Sequence, residues 1–273
     1  MTSSAQTILM CPPDYFAVAY VINPWMEGHF ADTDKDLACQ QWKALHDAIQ
    51  PHAKVLLQPP RHSLPDLVFT ANAGLVLQRK AIVSRFRSPE RQGEEPHDHA
   101  WFAENGFEVL DWPQNIPFEG AGDALFDRGQ DLLWVGHGFR SHPDVAMLLK
   151  RLLGRRTAAL TLIDPRFYHL DTCLCPLAGG YLLYFPAAFD APSRALIESL
   201  VPEALRIAVD EDDALKFCCN AVDLDGAILM NGASPKLQAR LREAGFTPEI
   251  IPLSEFMKAG GAAKCLTLKL VEK

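Results

Sequence analysis

The sequence predicts an α/β protein built as a closed ring of about five strand–strand–helix–strand units. Three observations lead there. Short knots of small and polar residues recur at a period near fifty. Apolar, strand-like runs follow the knots, and segments of helical periodicity fall between them. The knots are Thr70 to Gly74, Gly120 to Ala124, Leu170 to Cys173, Cys219 to Val222 and Ala262 to Cys265. From Asn72 to Asp123 is 51 positions, then 50 to Cys173, 47 to Asn220 and 45 to Cys265. A closed ring would turn all five knots toward one centre, so that residues far apart in sequence share a site. The alternative is an ordinary α/β domain whose spacing is fortuitous. No Pro/Ser linker or composition shift divides the chain, so residues 1–273 are expected to form one domain.

Along the chain, the segment from Asp34 to Ala53 places Ala38, Trp42, Leu45 and Ile49 on one helical face. Strand-like runs follow at Leu75–Leu77, Leu132–Val135, Tyr181–Phe185 and Ala227–Met230. A shorter helix is expected near Asp98 to Asn105. The stretch from His142 to Gly154 carries Val145, Leu148, Leu149 and Leu152, and that from Ala191 to Val201 carries Leu196, Ile197 and Leu200. Ser234-Pro235 reads as a cap and first-turn proline, with Leu237, Leu241 and Ala244 as the buried stripe and Gly245 as the stop.

Hydrophobic residues make up 48% of the chain, enough for a full core, and the net charge is −8. That balance argues against a nucleic-acid or anionic-membrane partner and is compatible with a cationic small molecule. Seven cysteines is an odd number, the start at Met1 lacks a leader pattern, and no apolar run approaches the roughly 18 residues of a membrane span. A reducing cytoplasm with free thiols is the expected setting. Cys173-x-Cys175 and Cys218-Cys219 lack the spacing of a zinc knuckle and are read as small buried hydrophobes. His97 and His99 have the spacing of a metal pair but fall in a polar stretch read as a solvated loop. No metal and no cofactor are expected.

The chemistry concentrates at the knots. Cys265 follows Gly260-Gly261-Ala262-Ala263-Lys264, small residues that would let a planar ligand approach the sulfur. A thiol with a nearby base is a nucleophile. His169, beside Asp171, is the candidate acid and base. Glu119 and Asp123 flank Gly120-Ala121-Gly122, where carboxylates can point inward at a cation; Asp123 can equally cap a turn. Asp66 is a turn residue or an inward acid. Arg85, Arg87, Arg91 and Arg140 offer guanidinium forks for a carboxylate. Together these groups suit a zwitterion with a planar cationic end.

The motifs Asp66-Leu-Val-Phe-Thr-Ala-Asn-Ala-Gly74, Phe118-Glu-Gly-Ala-Gly-Asp-Ala124, Phe167-Tyr-His-Leu-Asp-Thr-Cys173 and Ala259-Gly-Gly-Ala-Ala-Lys-Cys-Leu-Thr-Leu268 resemble the guanidine-modifying, or pentein, superfamily. The resemblance covers essentially the whole chain and implies a five-bladed α/β propeller. Leu9 to Tyr15, Val21 to Met26 and Glu90 to Pro96 are most similar to the bacterial arginine dihydrolases, which convert arginine to ornithine, two ammonia and carbon dioxide. The resemblance implies Cys265 as nucleophile, His169 as acid/base, Glu119 as its carboxylate partner, and Asp66 and Asp171 as guanidinium ligands. It assigns Asn23, Arg91 and Arg140 to the α-carboxylate and α-amino end, and a cysteine-bound thiouronium intermediate to the mechanism. Dimethylarginine hydrolases typically carry Glu-Asp where this chain has Ala71-Asn72, and Asn72 matches the dihydrolase pattern.

The segment Tyr15 to Phe30 is expected to act as a mobile lid. Dihydrolases of this type can carry a long C-terminal region. The sequence here runs to Lys273, and activity depending on that region is expected to be absent. The alternatives are dimethylarginine hydrolysis or arginine deimination, both giving citrulline, and amidino transfer. A ribosome-binding propeller would not need Cys, His and Glu at three knots. The expected partner is a small guanidine compound; a homo-oligomer is compatible with the sequence and not decided by it.

Overall fold

The computed structural model describes residues 6–270; the absence of a leader at Met1 to Ala5 is a reading that lies outside them. Its strands form five separate three-stranded sheets. Each sheet repeats one plan: an antiparallel first pair, then a helical crossover to a third strand parallel to the second. Gly74–Leu77 pairs with Lys80–Val83, and that strand with Glu108–Val109. Ala124–Phe126 pairs with Leu133–His137 and onward to Thr157–Thr161. Leu174–Leu177, Tyr181–Tyr184 and Arg206–Ala208 make the next sheet. Val222–Leu224, Ala227–Met230 and Thr247–Ile250 make the fourth.

The fifth sheet closes the ring. Leu268–Lys269 pairs antiparallel with Gln6–Met10, with Leu9 opposite Leu268, and Gln6–Met10 pairs parallel with Ala53–Leu57. The unit that begins near Cys265 is therefore completed by the other end of the chain. One first strand from each sheet faces a shared axial cavity, touched by Leu75, Leu125, Leu174, Val222 and Leu268. This is the closed ring of five units expected from the repeat, and the five-bladed α/β propeller that the resemblance implies.

A parallel pair needs a long connection, and a helix supplies it in every unit. Lys35–Ile49 is capped by Asp34, whose side chain accepts from Leu37 N. Ala191–Leu200 is capped by Asp190 and Pro235–Glu243 by Ser234 in the same way. Val145–Leu153 ends at Gly154, which sits at φ 66° in the left-handed region.

Four sequence readings are adjusted. The second helix runs Glu95–Glu104 and starts before Asp98, because Pro96 suits a first turn. His97 and His99 therefore lie on that helix and not in a loop; among the described residues no group of three or more His, Cys, Asp or Glu is placed to hold a metal. On the first helix Gln41, not Trp42, is buried: its amide donates to Ser254 Oγ and accepts from Glu255 N, so burying it costs little. On the third helix Leu152 is 39% exposed and Ala146 takes the inner place. All seven cysteines are free, and Cys173, Cys175, Cys218 and Cys219 are buried as expected of small hydrophobes. Among the described residues no helix is long and apolar enough to cross a membrane.

Candidate active site

The knots fold as tight turns directly before the first strand of each unit, and backbone and side chain link them in a circle. Asn72 Nδ2 donates to Glu119 O at 2.9 Å, and Leu170 N donates to Asp123 Oδ1 at 3.0 Å. Asn220 Nδ2 reaches Asp171 O at 3.1 Å. Lys264 N reaches Asn220 O at 3.2 Å, and Ala71 N reaches Cys265 O at 3.0 Å, which completes the circle. The turns approach so closely that Gly120 must be glycine: its φ is +61°, and a Cβ would stand 2.8 Å from Gly74 O and 3.0 Å from Ala71 O.

The circle surrounds a small cavity. Cys265, Asp66, Asn72, Arg91, Arg140 and Asn23 all contribute to its wall. The larger axial cavity lies along the first strands; its wall is mostly apolar, and the chemistry belongs to the smaller space.

Cys265 Sγ lies 3.5 Å from Asp171 Oδ2 and accepts from Asn220 Nδ2 at 3.1 Å. Burial, then the Asp171 charge, push the thiol well above its ordinary pKa; contacts with Ala262 and Asn220 and the charge of Lys264 work against that rise. Burial also lifts Asp171 to about 6, opposed by Lys264 and by hydrogen bonds from Cys265 and Asn220.

His169 Nε2 is 2.7 Å from Glu119 Oε2, and Arg140 Nη1 donates to the same oxygen at 3.1 Å. Burial would raise the Glu119 pKa, but the Arg140 charge and the His169 hydrogen bond prevail and hold the carboxyl well below the usual range. An ionised Glu119 accepts only, so Nε2 carries the proton in this pair.

Asp66 accepts from Tyr20 Oη at 2.9 Å, while its Oδ1 is buried without a partner. Burial raises its pKa against the pull of Arg91. Arg91 is gripped at both ends: Nε and Nη2 reach the two Glu94 oxygens, Nη1 reaches Asn72 Oδ1, and Nη2 also reaches Asp66 O. Asn23 Nδ2 donates to Ala259 O and its Oδ1 accepts from Trp25 N. Around it, Tyr15 to Phe30 covers the cavity with Ile22, Asn23 and Met26.

Asp123, Arg85 and Arg87 are placed otherwise than expected. Asp123 does not face the cavity: its oxygens are taken by Leu170 N and by Ser141 Oγ at 2.7 Å, so it ties two knots together. Gly261 lines the cavity beside Cys265, and both glycines also give room to neighbouring side chains. A Cβ on Gly261 would meet the Phe69 ring at 2.4 Å and one on Gly260 the Tyr168 hydroxyl at 2.8 Å, so these glycines admit protein side chains. Arg85 and Arg87 stay outside: Arg85 pairs with Glu95, and the Arg87 side chain is exposed. Tyr20, Glu94 and Asn220 had no assigned chemistry in the sequence. Asn220 had a signal in its knot position, and Glu94 in its three-residue spacing from Arg91 on a turn.

A five-unit ring that gathers a thiol, an imidazole–carboxylate pair, two acids and two guanidinium groups at its centre is the architecture of the guanidine-modifying superfamily. Within that class, the family model described as "N,N dimethylarginine dimethylhydrolase, eukaryotic" matches residues 21–272, and the chain belongs to that family. It is 56% identical over 265 residues to the bifunctional arginine dihydrolase/ornithine cyclodeaminase ArgZ of Synechocystis sp., covering 97% of this chain and 38% of ArgZ. The chain thus spans about two-fifths of the length of that relative. It is 38% identical to the N(G),N(G)-dimethylarginine dimethylaminohydrolase of Mycobacterium tuberculosis, covering 98% of this chain and 87% of that one. Among solved structures, the N-terminal domain of ArgZ in a cysteine-to-serine form bound to substrate superposes with a TM-score of 0.97 at 55% identity, covering 98% of each chain.

Proposed function

We propose that this chain, acting as one catalytic unit over residues 1–273, is an arginine dihydrolase: arginine and two waters give ornithine, two ammonia and carbon dioxide. The observation that carries this is the cavity itself. It sets the Cys265 sulfur against Asp171, leaves an unpaired Asp66 oxygen for a cationic N–H, and presents an amide, Asn72, where a further acid would otherwise stand. The relation to ArgZ, whose N-terminal domain is described as an arginine dihydrolase, supports the same reading.

In this mechanism Asp66 and Asp171 hold the guanidinium, and Arg140, Asn23 and the remaining N–H of Arg91 hold the amino-acid end. The Cys265 thiolate attacks the guanidinium carbon. A carbon–nitrogen bond breaks and ammonia leaves with a proton from His169, whose Nδ1 exchanges protons while Nε2–H stays on Glu119. A thiouronium remains on Cys265. Water, deprotonated by His169, attacks it and releases citrulline. In a second cycle Cys265 attacks the ureido carbon, which is less electrophilic, and expels the second ammonia; water hydrolyses the resulting thiocarbamate, and the freed carbamate loses carbon dioxide to give ornithine. Asn72 orients that ureido group. Tyr15 to Phe30 is the cover that excludes water.

A second reading, hydrolysis of methylated arginine to citrulline, is favoured by the description of the matching family model. Product analysis after incubation with arginine, and separately with dimethylarginine, decides between them. Ornithine from arginine is the expected result. Citrulline as the end product, or turnover of dimethylarginine alone, refutes the dihydrolase assignment. Asn72→Asp should lower ornithine output at least tenfold; undiminished output would remove the role given to Asn72.

A further inference from the structure

Asn220 is fully buried and belongs to the one knot given no chemical role so far. Its Oδ1 accepts from Ala262 N and Cys265 N, each at 3.1 Å. Its Nδ2 donates to Asp171 O and to Cys265 Sγ, each also at 3.1 Å. Two donors and one two-lone-pair acceptor are thereby filled. The amide cannot be turned over, because a flip would set its NH2 against two backbone N–H groups.

We infer that Asn220 is a catalytic residue that fixes the Cys265 sulfur and stabilises its anionic form through the Nδ2–H···S bond. The inference rests on the proposed function only in taking Cys265 as the nucleophile. An N–H donor binds a thiolate more strongly than a thiol, so the bond favours ionisation. It acts against the Asp171 carboxylate, 3.5 Å from the sulfur, and alongside the Lys264 ammonium; the Tyr168 hydroxyl is a further titratable neighbour, and Asp66, Arg91 and Arg140 share the cavity.

The ring supplies its own control for a purely structural role. Asn72, Asp123 and Asn220 occupy repeat-related positions, and each side chain reaches the backbone of the following knot. Asp123 does this as a carboxylate, accepting from Leu170 N. A carboxylate oxygen can therefore anchor the following knot, as at Asp123, whose second oxygen accepts from Ser141 Oγ. What Asn220 adds is the donor to sulfur.

The test is the pH profile of Cys265 alkylation by iodoacetamide without arginine, resolved by peptide mass spectrometry from the six other cysteines. Asn220→Ala should move the midpoint upward by about one pH unit, the size expected for one lost hydrogen bond to a charged group. Asn220→Asp, which keeps the acceptor and removes the donor, should move it at least as far while circular dichroism stays that of the parent. An unmoved midpoint in either folded variant overturns the inference. The parent protein gives a readout independent of folding: with asparagine 15N-labelled, one side-chain amide should titrate with Cys265 and be silent in Cys265→Ser. Absence of such a resonance also overturns it. Because alkylation needs no turnover, a chain inactive on arginine would refute the proposed function and leave this result standing.

Discussion

Asp66 Oδ1 is a buried acceptor in the cavity wall with no hydrogen-bond partner within the protein. Leaving such a group unpaired costs about 1–3 kcal/mol, a large share of the 5–15 kcal/mol that holds a domain together. The cost is recovered when a guanidinium N–H arrives, and that makes Asp66 the residue whose charge binding should feel most directly. Asp66→Asn keeps the shape and the Tyr20 contact. It should raise the arginine KM by about 10- to 100-fold, the equivalent of one charge-assisted hydrogen bond. Steady-state kinetics at fixed pH measures this, and an unchanged KM would remove Asp66 from the ligand set. The sequence alone left Asp66 divided between turn residue and inward acid. Its burial depends on Tyr20 and Arg91, which come from 46 residues earlier and 25 later in the chain. Asp123 is the opposite case. Its motif looked like a cation ligand, and only the positions of Ser141 and Leu170 disclose that both oxygens are spent on the scaffold.

The knot turns are the elements on which the site depends. Each is short, and its conformation is fixed less by its own propensities than by the turn beside it. Gly120 makes this measurable. A methyl group there must adopt φ +61° and press on two carbonyl oxygens at 2.8 and 3.0 Å. Left-handed strain of about 1–2 kcal/mol and overpacking of about 1–3 kcal/mol put the expected loss for Gly120→Ala at about 2–5 kcal/mol. Denaturant unfolding checks it, and a loss below about 0.5 kcal/mol would mean that the turns are not packed as described. The helices were more legible than the turns. Their apolar stripes and caps are written within one segment, and the departures were local: Gln41 replaced Trp42 because Ser254 and Glu255 satisfy its amide, and Leu152 faces solvent where the last turn leaves the sheet.

Across the whole molecule, burial of acids at the ring centre links folding to pH. Desolvation raises Glu94 to about 7 and Asp123 and Asp171 to about 6. The folded state therefore holds protons that the unfolded chain has already released. The sign follows: the contribution of these three groups is largest at low pH and is lost as pH rises toward about 7. Glu119, held low by Arg140 and His169, contributes in the opposite sense and loses its share as pH falls. Above about pH 5 Glu119 stays ionised in both states and adds no slope, while Asp66 and Asp98 are raised in the same sense as the three, so the thermal midpoint should decline between about pH 5 and 7. Scanning calorimetry across that range tests it. A midpoint that climbs instead would mean that these carboxyls are solvated in the folded protein.

The five-unit architecture was legible in the chain, and so was the placing of Cys265, His169 and Glu119 at three of its knots. Strand and helix periodicity, capping and the repeat of small-residue knots are carried by neighbours within a few residues of one another, and a ring of similar units repeats that local information five times. The tertiary structure alone decided which polar groups remain free to act. Arg91 spends four N–H bonds on Glu94, Asn72 and Asp66; Asp123 spends both oxygens on the scaffold; Asn220 turns its amide toward the Cys265 sulfur. The physical reason is that a side chain's hydrogen-bonding capacity is finite. How it is divided is set by groups that other segments of the chain bring alongside on folding.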